Sequence, residues 1–105
     1  NFSKIKPFNK MKLNQTFTNE LGEDLADDKG PITLGKVIQT ALLSPMKDDD
    51  KLSGQEKADL FNLWFDKIKG ADEADLTSED KVLIKDRVGR AYSQIVVGQV
   101  FKILK

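Results

Sequence analysis

Cysteine and histidine are both missing from this 105-residue chain. Without cysteine there is no disulfide framework, no thiolate nucleophile and no zinc site built on sulfur. Without histidine the commonest general base, proton shuttle and transition-metal ligand are missing as well. Long apolar runs are also lacking. The densest apolar stretch, "VGRAYSQIVVGQVFKILK" over 88–105, is broken by Arg90 and Lys102 and preceded by Arg87. It falls far short of the ~18 uninterrupted apolar residues that a membrane span needs.

The composition is that of an ordinary globular protein, with 39% hydrophobic and 32% charged residues. A chain of this length makes one domain and buries roughly 65% of the surface its unfolded form exposes. Seventeen bases balance seventeen acids, yet unevenly along the chain. Residues 1–17 hold four lysines and no acid, residues 18–80 hold sixteen acids against seven bases, and residues 81–105 hold six bases against Asp86. Such an acidic middle between basic ends either knits together inside the fold or leaves two patches of opposite sign. The opening "NFSKIKPFNK" lacks the apolar centre of about 7–15 residues that marks a secretory signal. Residues 1–10 therefore read as a leader, flexible arm or appended remnant, with a single globular domain over 11–105.

From Met11 the inward set Met11, Leu13, Gln15, Phe17 alternates with Lys12, Asn14 and Thr16, the period of a half-buried strand. "TNELGEDLADDKGP" then gathers the residues of a turn or long hairpin loop, and Pro31–Ile32 begin a returning strand. Thr33 is placed to cap a first helix, "LGKVIQTALL", whose Leu34, Val37, Ile38, Ala41 and Leu42 share one face. Ser44-Pro45 stops it, and "MKDDDK" reads as a solvated connection. Ser53 and Glu56 have the spacing of a capping box, which starts a second helix that runs to about 69 and ends at Gly70. Its Leu60, Phe61, Trp64, Phe65 and Ile68 span about 160° of the helix circumference, and Leu63 lies off that face. This helix is expected to supply most of the aromatic mass of the core.

"GADEADL" reads as a loop. Thr77 and Asp80 repeat the capping logic for a third helix, whose apolar face holds Leu83, Ile84, Val88 and Ala91. Val96, Val97, Val100, Phe101, Ile103 and Leu104 would lie about 150° away on one straight helix. A break between Gly89 and Ser93, with Ser93 capping a fourth helix, removes the conflict; Tyr92 and Ile95 at the bend are candidates for a contact surface. The expected fold is thus mainly α, a small four-helix domain with a short N-terminal β-ribbon.

Metal and catalytic motifs fail on spacing. An EF-hand begun at Asp48 puts Leu52 at position five and Ser53 where glycine is required, and one begun at Asp72 meets Ala74, Leu76 and Leu83 at ligand positions. "GPITLGK" lacks phosphate-loop spacing. Neither a cofactor nor an enzymatic activity is expected. The C-terminal bases form no single stripe, because Lys81 and Lys85 project to one side of the third helix and Arg87 and Arg90 elsewhere.

Read in order, "PITLGKVIQTALL", "LSGQEKADLFNLWFDKI", "ADLTSEDKVLIKDRVGRAY" and "IVVGQVFKIL" resemble a group of small proteins encoded by tailed bacteriophages and prophages, across residues 11–104. Tail-assembly chaperones of similar size are a looser comparison. No element of the resemblance is a catalytic or ligand-binding motif, so no residue role is carried over. It implies a small phage-encoded protein; the function expected of the chain is that of a non-enzymatic accessory protein acting by protein–protein contact in the bacterial host cytoplasm, foremost in virion tail assembly. The expected partner is a phage structural protein or a host protein, with no membrane partner, and a homo-oligomer is compatible. The alternatives are an inhibitor of a host or defence protein acting through an acidic surface, and a nucleic-acid binder using the basic ends. The candidate contact residues are Glu23, Asp24, Asp27, Asp28, Leu63 and Trp64.

Overall fold

The computed structural model describes residues 10–105. The leader read from the sequence lies outside these residues except for Lys10, which pairs with Asp75. The architecture is mainly α, with four helices and a short β-ribbon at the N-terminal side. The inward alternation from Met11 holds: Leu13 and Phe17 are buried while Lys12, Asn14 and Thr16 face out. Its pairing differs from the expected one. Strand β1 (Lys10–Lys12) pairs antiparallel with a distant segment, Glu73–Asp75, and Leu13 N–H donates to the Asp72 carbonyl at 2.8 Å. The returning segment instead meets this chain farther on, through a Thr16–Thr33 bridge.

Strands β2 (Ala26–Asp27) and β3 (Gly30–Pro31) form a tight hairpin of their own within the expected turn region. Helix α1 (Leu34–Leu43) follows, with the Thr33 hydroxyl accepting the Lys36 N–H. Gly35 lets the incoming strand lie close: its N–H donates to the Leu13 carbonyl at 2.8 Å, and an added Cβ would sit 3.3 Å from that oxygen. Leu34, Val37, Ile38, Ala41 and Leu42 are all buried, each of the larger ones stabilising the fold by about 1.5–3 kcal/mol. This helix is the centre of the core, packed on the second and third helices.

Helix α2 (Gly54–Leu63) starts from the expected capping box, in which Glu56 N–H donates to Ser53 Oγ at 3.1 Å and Ser53 N–H to Glu56 Oε1 at 2.9 Å. It does not stay α-helical to its end. Trp64–Ile68 forms a π turn, closed by the Lys69 N–H on the Trp64 carbonyl, and Gly70 at φ +67° turns the chain away. Next, β4 (Glu73–Asp75) lies where a loop was expected; Ala74 is its buried residue. Helix α3 (Ser78–Ala91) has the Thr77–Asp80 capping box, and α4 (Gln94–Ile103) is separated from it by the extended Tyr92 and Ser93. The predicted break is there, although Ser93 makes no side-chain capping bond. Ala91 and Phe101, expected inside, are exposed.

Arg87 is the largest departure from expectation. It points into the protein, 3% exposed. Its guanidinium donates from Nε to the Ala41 carbonyl (2.9 Å), from Nη2 to the Ser44 carbonyl (3.2 Å), and from Nη1 and Nη2 to the two oxygens of Asp49 (2.6 and 3.1 Å). The presumed solvated connection therefore holds a structural carboxylate on a short 3-10 turn, Asp49–Lys51. The bidentate bond is of the strong, charge-assisted kind. The hydrogen bond from Arg87 holds the Asp49 carboxyl below its ordinary value of 3.8, against the opposing effect of burial.

Arg87→Ala leaves the Ala41 and Ser44 carbonyls without their side-chain donor and the Asp49 carboxylate with the Met46 N–H alone, and is expected to lower stability by about 2–4 kcal/mol in urea unfolding at neutral pH; a loss near zero would show that the clamp does not hold the fold. A carboxyl with a lowered native pKa contributes stability that is complete above its unfolded value and lost as pH falls through the native one. The wild-type urea midpoint should therefore drop as pH falls below 3.8. Asp49→Asn should be less stable than wild type at neutral pH, with the gap narrowing on the acid side; a constant gap would contradict the linkage.

Candidate protein-docking site

Helix α2 is covered on one narrow side only. Leu60 and Leu63 are buried, with Ile68 in the π turn, whereas residues 53–59, 61 and 62 are exposed. The π turn explains this selection. Its i→i+5 bonding makes residues five apart neighbours across one turn, so Leu63 and Ile68 turn together to the core. Phe61 and Phe65 are left outside, 48% and 49% exposed. The expectation for this helix is thus corrected twice: Leu63, read as off the apolar face, is 7% exposed, and the two phenylalanines read as core are surface.

The exposed rings are ordered against one another. Phe61 and Phe65 stack with centroids 5.6 Å apart and planes 20° off parallel. Trp64 closes the group, tilted against Phe61 at 5.8 Å and edge-on to Phe65 at 6.2 Å. Such pairs are stabilising beyond their buried area. Trp64 is half-buried against the core, and its indole N–H donates to Gln39 Oε1 of α1 at 2.9 Å, which fixes the ring that the others lean on. Lys69 Nζ stands 4.8 Å from the Phe65 ring centroid and 5.9 Å from that of Trp64, a cation–π arrangement.

Charge around the rings is sorted by the same helix. Lys67 turns to α3, its Nζ 2.5 Å from Asp80 Oδ2. Partial burial pushes the Asp80 carboxyl up, but the bonds from Lys67 and the Thr77 amide outweigh it and the pKa lies below the ordinary value. Lys57, Phe61, Phe65 and Lys69 remain as an exposed strip at four-residue spacing. Among the described residues neither Lys57 nor Lys69 enters an ion pair. Beside Phe61 the surface dips into a groove of about 500 Å³, walled by Leu42, Leu43, Met46, Leu52 and Leu60. Rings, aliphatic walls and ammonium groups offer contact area and charge.

The acidic candidates lie elsewhere. Glu23, Asp24, Asp27 and Asp28 are all exposed, on the loop and hairpin between Thr18 and Gly30. The base of that segment is tied to α4 by Gln99, whose Oε1 accepts the Thr18 N–H at 3.1 Å and whose Nε2 donates to the Thr18 carbonyl at 2.8 Å. Trp64 is tied to α1 instead, so the six candidates fall into three settings: an acidic hairpin, a buried Leu63 and a half-buried Trp64. Phe61 and Phe65 were missed as surface residues. The available signal was width: "LFNLWF" carries more apolar side chains than one helix can turn toward a single neighbour. Comparison with protein-family models, with curated proteins and with solved structures finds no match to this chain.

Leu63→Asp places a charge in the core and should destabilise by about 3 kcal/mol or more. Phe61→Ser and Phe65→Ser, at half-exposed positions, should each shift stability by about 1 kcal/mol. Thermal and urea unfolding of the three variants checks the order; equal losses would return the rings to the core.

Proposed function

We propose that this chain is a non-enzymatic accessory protein of phage or prophage origin that acts by protein–protein contact in virion assembly, foremost of the tail, within the host cytoplasm. The observation that carries the contact reading is the stacked pair Phe61 and Phe65 on the uncovered side of α2. Large aromatics anchored by a fixed neighbour are what interface centres use, because they bring area at little cost in side-chain freedom. The phage assignment rests on the resemblance of residues 11–104 to small phage-encoded proteins. No helix among the described residues is long and apolar enough to cross a membrane.

One observation favours a second reading, inhibition of a host or defence protein. Glu20, Glu23, Asp24, Asp27 and Asp28 all stand exposed on one loop and hairpin braced by local hydrogen bonds, which suits a basic target surface. Nucleic-acid binding by the C-terminal bases is less favoured, since Arg87 is buried and Arg90 pairs with Asp86 at 3.0 Å.

The test is capture of partners by the tagged full chain from nuclease-treated lysate of phage-infected cells, with mass spectrometry of the bound proteins, beside the Phe61→Ser/Phe65→Ser variant. A phage structural protein retained by the wild type and lost by the variant is expected. A host enzyme or defence complex, lost instead on Glu23→Lys/Asp24→Lys, would replace assembly by inhibition. Retention of nucleic acid that falls steeply with salt, with no protein bound, would overturn both.

A further inference from the structure

Leu21 is the most exposed large apolar side chain among the described residues, at 78%. It is not a loose residue. Asn19 Oδ1 accepts the N–H groups of Leu21 (2.8 Å) and Glu23 (3.0 Å), Asn19 N–H donates to the Glu23 carbonyl (2.8 Å), and Gly22 takes the left-handed conformation, φ +80°, that closes the turn. The loop thus holds a leucine outward between Glu20 and the pair Glu23, Asp24. The α2 strip has the inverse pattern, two phenylalanines between Lys57 and Lys69. One surface is an apolar tip with acidic flanks; the other is an apolar strip with basic flanks.

We propose that the chain self-associates head to tail, the Leu21 tip of one copy seating on the Phe61–Phe65 strip of the next, with Glu20, Glu23 and Asp24 facing Lys57 and Lys69. The proposal rests on the reading of the α2 face as a docking surface and names a second copy as its occupant. The two patches do not cover one another within one molecule, because both Leu21 and the rings are exposed and the loop base is fastened to α4 by Gln99. Complementary charge argues for this occupant over a generic apolar one: both halves of the match are written on a chain whose formal charge is zero. Different patches in contact make a heterologous interface, which closes as a ring or continues as a filament rather than stopping at a two-fold dimer.

Sedimentation velocity of the full chain from about 10 µM to about 1 mM tests it. The wild type is expected to grow in size with concentration, less so as salt screens the charged flanks. Lys57→Glu/Lys69→Glu and Glu20→Lys/Leu21→Ser alter exposed side chains only, and circular dichroism verifies their folding. Each alone should associate at least about tenfold more weakly. Mixed in equal amounts they should form a dimer that stops at two, because one variant retains the strip and the other the tip. A wild type that stays monomeric overturns the proposal, as does association indifferent to both variants or a mixture that stays monomeric. A monomeric wild type that still captures a phage protein through Phe61 and Phe65 would overturn self-association alone; loss of that capture reading with self-association intact would leave this proposal standing.

Discussion

The guanidinium of Arg87 joins three segments of the chain through four hydrogen bonds. It reaches from α3 to the last carbonyls around α1 and to Asp49 on the 3-10 turn beyond. A helix end in a protein interior leaves carbonyls without intrahelical donors, and here one side chain donates to those of Ala41 and the capping Ser44. The charge that does so is matched by a carboxylate from the connecting segment, so the route of residues 44–52 follows from where the guanidinium stands. That route in turn forms one wall of the groove beside α2, through Met46 and Leu52. Replacement by an apolar side chain would have to satisfy the Ala41 and Ser44 carbonyls by other means.

Because α1 sits centrally and α3 is clamped to it, α2 is left with a narrow contact. Leu60, Leu63 and Ile68 suffice for it. The π turn admits one extra residue into the last turn, so that Ile68 reaches the core and the chain can leave at Gly70 toward β4. Its by-product is the outward pair Phe61 and Phe65. Packing inside and exposure outside are thus two sides of the same local under-winding. Trp64 is the hinge between them, half in the core and fastened to Gln39.

Most element boundaries were legible because their causes are local. The Ser53–Glu56 and Thr77–Asp80 boxes, the Ser44-Pro45 stop, the glycine after α2 and the phase conflict that demands a break before Ser93 all act within a few residues. What was not legible came from distance or competition. Glu73–Asp75 has poor strand propensity and becomes a strand only because residues 10–12 offer it a ladder. Arg87 looked like one more surface base because its partners lie 38 to 46 residues away. The candidate site was half legible: the acidic residues were placed on the surface correctly, while Leu63 and the phenylalanines exchanged inside for outside.

By itself the sequence determined a cysteine-free and histidine-free, mainly helical chain of four helices with a short ribbon, since composition, capping pairs and hydrophobic period are properties of neighbouring residues. Tertiary structure decided which apolar side chains the core would accept. A core has a finite volume at close packing, and once α1, Phe17, Ile84, Val88, Val100 and Leu104 had filled it, Phe61, Phe65 and Phe101 remained outside. It also decided the fate of the charges, for an arginine becomes a clamp rather than a surface base only where carbonyls and a carboxylate from distant segments converge upon it.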